Sequence, residues 1–145
     1  MLRIGFAAAL LLAATGCDDR PDAVPQPPAL LATPEENPFG DQINHRLVWD
    51  SIAVADVLKP KFGWISNELH TIRRDQRAAL VTALRRGVPE GWQPLKVDAL
   101  LRHSEIHAFT SGGAVYALLI VEPGRGDLMP AIIMRNEKAL PPKKP

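Results

Sequence analysis

The spacing of apolar positions changes along the chain, and each change marks a predicted element. Ile43, Leu47, Val54 and Leu58 fall on one side at helical spacing, with Asp41 placed to cap the start and Pro60 to stop the run. The stretch 46–57 also contains Leu47-Val48-Trp49 and Ile52-Ala53-Val54, whose β-branched and aromatic residues suit strands equally well. Phe62-Gly63-Trp64-Ile65 turns the chain, and Ser66 or Asn67 can cap a second helix. On a wheel, Leu69, Ile72, Ala79, Leu80, Ala83 and Leu84 share one arc, while Arg74, Arg77, Thr82 and Arg85 share the other. That helix is the best defined in the sequence. It is expected to end at Gly87, with Arg85 and Arg86 beside the negative end of the helix dipole.

Val88 to Pro94 reads as a loop from its prolines and glycine. Within 95–102, Val97, Leu100 and Leu101 fit a short helix, whereas Leu95, Val97, Ala99 and Leu101 alternate as a strand would; the short helix is preferred. Two strands, Ile106 to Thr110 and Ala114 to Val121, flank Ser111-Gly112-Gly113 as a hairpin. The second, AVYALLIV, is apolar at every position and therefore predicted to be covered on both faces. After a turn at Pro123 to Asp127, Leu128 to Met134 makes a third strand, with Pro130 at an edge or at the strand's beginning because it lacks a donor. The expected fold is α+β, with N-terminal helices packed on a small three-stranded antiparallel β-meander. The globular part should span 40–136, followed by a flexible tail over 137–145.

Before this domain the chain has a different character. Arg3 is followed by an apolar run from Ile4 to Ala14 and then by small residues. As helix the run would measure about 16 Å, about half the hydrocarbon thickness of a bilayer, so it is too short to be a stable span. Ala14-Thr15-Gly16 satisfies the small-x-small rule for ordinary secretory cleavage. The next residue is Cys17, the only cysteine of the 145-residue chain. Together Met1 to Cys17 resembles the lipobox signal of bacterial lipoproteins, with Ala14 where that box most often has Leu. The resemblance implies a signal peptide over 1–16 and a Cys17 that is diacylated, becomes the new N-terminus and fixes the protein to the membrane. Asp18, directly after it, implies retention at the inner membrane, with the domain facing the periplasm.

Residues 17–39 then form an acidic, proline-rich stretch, expected to be a disordered tether stiffer than a Gly/Ser linker and able to span roughly 60 Å. Charge divides at the same place: acids dominate from Cys17 to Asp41, while Lys and Arg exceed Asp and Glu from Gln42 onward. This asymmetry suggests either attraction to anionic head groups or association of tether with domain. No nucleic-acid partner is expected, because no recognised binding motif accompanies the basic charge.

Three constellations carry candidate chemistry. His103, Glu105 and His107 would share one face of an extended strand, and two imidazoles plus a carboxylate are a ligand set for Zn²⁺. Arg73, Arg74 and Arg77 could contact a lipid surface, although arginines paired with nearby acids or helix-end carbonyls would produce the same pattern. Arg125-Gly126-Asp127 has the composition of a simple turn. Ser51, Ser66, Ser104 and Ser111 lack a Gly-x-Ser-x-Gly setting, so no catalytic residue is assigned and no cofactor is expected. The resulting expectation is a lipid-anchored envelope protein that binds a protein partner or assembles a complex, with a small-ligand or metal-binding role through His103, Glu105 and His107 as the alternative.

Overall fold

A computed structural model describes residues 20–145, so Cys17 and Asp18 lie outside the described residues. The fold is α+β: two α-helices and one five-stranded antiparallel sheet in the order β1-β5-β4-β3-β2. The elements are α1 (Asp41–Phe62), β1 (Ser66–Arg73), α2 (Arg77–Gly87), β2 (Gln93–Leu95), β3 (Ser104–Ser111), β4 (Ala114–Val121) and β5 (Leu128–Arg135). The sheet is therefore wider than the expected three-stranded meander, and the helices are not both grouped on one side of it.

β4 is buried along its whole length, as its unbroken apolar run requires. Val115, Ala117, Leu119 and Val121 face a core shared with Leu47, Val54, Leu58 and Phe62 of α1. The alternate residues Tyr116, Leu118 and Ile120 face a second core with Leu80 and Leu84 of α2 and with Ile72, Phe109, Met129 and Ile133. One helix thus lies on each side of the sheet. The β3–β4 connection is a two-residue loop in which Gly112 takes a positive φ of 56°, the conformation a tight hairpin needs.

Several expectations are corrected. Residues 66–73, placed in the second helix by periodicity, form β1 and pair with β5 from Ser66↔Arg135 to Arg73↔Leu128. Leu69 faces the α1 core and Ile72 the α2 core. A spacing of three puts two residues on one face of a helix but on opposite faces of a strand, and the sheet needed both faces filled. The helix begins only at Arg77, after a 3₁₀ turn over Arg74–Gln76. The ambiguous stretch 46–57 is helix.

Pro60 does not stop α1, which continues to Phe62 and ends on Gly63 at φ 75°, whose N–H donates to Lys59 O at 2.9 Å. A proline in the last turn costs only the bond to the carbonyl of exposed Asp56, which water can satisfy. Asp41 is the first helical residue rather than the cap. Asn37 and Asn44 organise the entry instead, with Asn37 Nδ2 donating to Asn44 Oδ1 (2.8 Å) and Asn44 Nδ2 donating to Phe39 O (2.9 Å).

Residues 96–103 are irregular rather than helical. Val97, Ala99 and Leu101 still pack on the α1 core while Lys96, Asp98 and Leu100 are exposed. The period of two seen in the sequence is real here, without a ladder. Buried Asp50 on α1 holds the end of this segment, accepting from the backbone N–H of Arg102 and of His103 (both 3.4 Å) and from the Ser104 hydroxyl. The expected tail also starts later than residue 137: Glu137–Ala139 is a 3₁₀ turn with Ala139 fully buried.

The largest difference concerns the tether. Val24, Leu30 and Leu31 pack on the α2-side core and Pro25 is buried. Ala32 pairs with Thr71 of β1 through two backbone hydrogen bonds, 3.0 and 2.8 Å. The Trp92 indole N–H donates to Ala23 O at 2.9 Å. Residues 20–32 are thus a strap lying on the domain. A sheet of five strands spaced about 4.8 Å apart is about 20 Å wide, and one helix of about 10 Å diameter covers only half of it. The strap supplies part of the missing cover on the α2 side.

Asn136 ties three elements together. Its Oδ1 accepts from Val115 N (3.1 Å), and its Nδ2 donates to Gly113 O (2.8 Å) and Phe62 O (3.1 Å), all within a buried site. Asn136→Ala leaves these backbone groups unpaired and is expected to destabilise the fold by about 2–4 kcal/mol. Urea unfolding measures this, and an unchanged midpoint would show that the amide is dispensable.

Candidate functional site

The residues singled out in the sequence fall into two groups with different fates. Glu105 and His107 stand on the same face of β3, with His107 Nε2 3.3 Å from Glu105 Oε1. His103 precedes the strand, is exposed and uses its backbone N–H to hold Asp50. Among the described residues, no group of three His, Cys, Asp or Glu side chains is placed to hold a metal ion. Glu105 instead meets Arg77, whose Nη2 lies 2.8 Å from Glu105 Oε2.

The three candidate lipid-facing arginines are all paired with acids. Arg73 bonds Asp75 through two nitrogens, at 3.2 and 2.9 Å. Arg74 Nη1 contacts both oxygens of Glu122, at 2.8 and 3.0 Å, and its Nε donates to Gly126 O. Arg77 bridges Glu105 and, at 3.7 Å, Glu122. The Arg74 and Arg77 pairs fasten the start of α2 and the turn before it to the ends of β3 and β4. They also draw in the Arg125-Gly126-Asp127 turn, whose Asp127 O accepts from Arg74 N at 2.7 Å.

The Arg77 guanidinium, followed by the His107 hydrogen bond, holds the Glu105 carboxyl below the usual carboxylate range; burial opposes this. Arg74 does the same for Glu122, with help from the Gly124 N–H. A second polar group is not brought together by the sequence, where periodicity puts Glu68 and His70 on a helix and composition puts Thr33 in the tether. Glu68 lies 3.0 Å from His70 Nε2, outside hydrogen-bond angle, and accepts from Arg135 Nη2 at 3.2 Å. Thr33 Oγ1 reaches buried His70 at Nδ1 (3.2 Å), which pins the end of the strap. Tyr116, across the ladder from Arg135, is fully buried, and burial pushes its hydroxyl pKa up.

The surface feature that stands apart is the outward side of α1. Val48, Trp49 and Ile52 are exposed together on it, Trp49 at 64% of its accessible area. Arg102 lies over the Trp49 ring at 5.8 Å, which brings the 96–103 segment and its exposed Leu100 alongside. Farther along, Trp64 is 78% exposed beneath Lys59 Nζ, 5.8 Å from the ring centroid. Next to Val48 is a hollow of about 250 Å³ lined by Leu47, Ser51, Leu69 and Ile132, where α1 leaves the β1–β5 side of the sheet uncovered. Its signal in the sequence was the surplus of apolar residues on α1, more than one helix face can bury.

Among the described residues no helix is long and apolar enough to cross a membrane. No protein-family model, no curated protein and no solved structure matches the chain.

Two tests follow from these contacts. Ala32→Pro removes the N–H that bonds Thr71, and limited proteolysis should then cut within 20–33 at least several times faster while leaving the sheet intact; unchanged cutting would mean that the strap is held elsewhere. The depressed carboxyls of Glu105 and Glu122 contribute stability above the ordinary carboxylate pKa, and this is lost as pH falls through their folded values. Because the groups are partly exposed, each pair contributes under about 1 kcal/mol. Urea midpoints at neutral and acidic pH should therefore differ less in Arg77→Ala than in the parent protein, and an identical difference would remove Arg77 from the account.

Proposed function

We propose that this chain is a lipid-anchored cell-envelope protein whose α1 face binds a protein partner, in a non-enzymatic, complex-assembly role. The observation that carries the partner site is the cluster of Val48, Trp49 and Ile52 on the outward side of α1, with the hollow beside Val48. Exposed tryptophan and aliphatic residues with a side-chain-sized hollow at one edge are the chemistry of an interface centre. His45, Asp56, Lys59 and Arg102 supply a polar rim.

The anchor half of the proposal rests on the lipobox-type segment and Cys17, with Asp18 supporting the inner membrane and a periplasmic domain. The strap supports an arrangement for the two halves. Cys17 precedes Arg20 by three residues, and Arg20 already pairs with Glu137 at 3.5 Å. An acylated Cys17 would therefore hold the domain within about 10 Å of its own docking point, not at the end of a roughly 60 Å spacer. The strap lies on the α2 side of the sheet and the apolar stripe on the α1 side. The bilayer would then hold one side of the domain while the other faced the periplasm.

The halves are tested separately. Cys17→Ser should abolish incorporation of radiolabelled palmitate, and continued labelling would end the anchor reading. A photo-crosslinker at position 49 in the native envelope should yield one discrete adduct that Ile52→Asp abolishes, whereas a crosslinker at Thr82 on α2 should not yield it. No adduct at position 49, or the same adduct from both positions, would overturn the partner face.

A further inference from the structure

A hollow larger than the one beside Val48 lies elsewhere, where the C-terminal end of α2 and the Val88–Trp92 loop pass over β2 and β3. It measures about 530 Å³, within the range of small-molecule sites. Its apolar side chains are Val88, Pro89, Trp92, Leu95, Ile106 and Phe109, within a lining of mixed polarity. Two other side chains give it polarity, Arg85 and His107. Arg85 is exposed and makes no ion pair among the described residues, unlike Arg73, Arg74 and Arg77. A guanidinium without a carboxylate, placed at the rim of a cleft with these apolar side chains, is complementary to an anionic group on an apolar body.

The cleft is held in shape by contacts already described. Trp92 is fixed by its bond to Ala23 O in the strap, and its ring is largely buried. His107 is fixed by Glu105, and the charge of Glu105 is balanced by Arg77 at 2.8 Å, so this carboxylate offers an incoming anion little repulsion. β2 pairs only with Ala108–Thr110, which leaves the outer edge of β3 beside Ile106 and His107 without a strand partner and keeps the cleft open there. We infer that this cleft is a binding site for a small monoanion with an apolar body, its carboxylate on Arg85 and its ring or chain between Trp92 and Phe109.

The inference is independent of the anchor and of the α1 face. It is tested on the purified protein with 2-naphthoate as probe and the uncharged 2-naphthamide as its matched control, using calorimetry and amide chemical shifts. Naphthoate should bind at about tenfold higher affinity than naphthamide, the difference expected for one charge-assisted contact at a partly exposed site. Arg85→Gln, on the helix surface, should bring naphthoate down to the level of the amide. Val88→Phe, which fills the cleft, should weaken both probes. Amide shifts should centre on 88–95 and 106–109. Equal affinity for the two probes, unchanged naphthoate binding in Arg85→Gln, or no binding of either at millimolar concentration would each overturn the site.

Discussion

A strand that is apolar at every position must be covered on both faces, and β4 imposes that requirement on everything around it. All eight of its residues are buried, half toward each core. At about 25 cal/mol per Å² of apolar surface removed from water, leaving either face of the sheet open would cost more than a domain of this size has to spare. A helix on each side is the first response, and neither helix is wide enough to finish it. The remaining cover comes from segments without regular structure, the strap on one side and the extended run Val97 to Leu101 on the other.

This explains why a proline-rich segment with the composition of a spacer lies on the domain. Its few apolar residues, Val24, Leu30 and Leu31, find places in the uncovered core. Its prolines fix the backbone in an extended form that loses less entropy on docking than a flexible chain would. Docking is then secured by the Ala32–Thr71 pair, the Trp92–Ala23 bond and the Thr33–His70 contact. The same packing gives the proposed anchor a short lead and gives the cleft under α2 one of its walls, because Trp92 serves both.

The polar groups act mainly as fasteners. Asp50 joins α1 to the start of β3, Asn136 joins the end of β5 to the β3–β4 turn and the end of α1, and the Arg74, Arg77, Glu105, Glu122 set joins α2 to the sheet. Arg74 and Arg77, which the sequence offers for a lipid surface, are engaged in these joints, while Arg73 pairs locally with Asp75. Arg85 is left without a carboxylate at the cleft rim, and the surplus apolar residues of α1 are left without a covering element. We propose these two places for a ligand and a partner.

Features carried by local chemistry were legible in the sequence: the α1 periodicity, the Gly112-Gly113 hairpin, and the both-face burial of β4. The β1 segment was not, because Leu69 and Ile72 fit a helix stripe and a two-sided strand equally, and only pairing with β5 separates the two. Nor could the sequence join Glu105 to Arg77, or His70 to Thr33, since each pair is brought together by elements distant along the chain. The docked strap has the same cause. Composition determines that residues 20–32 cannot form a helix or a sheet interior, but whether such a segment extends into solvent or lies on a core depends on how much of that core is left bare, which only the assembled sheet decides.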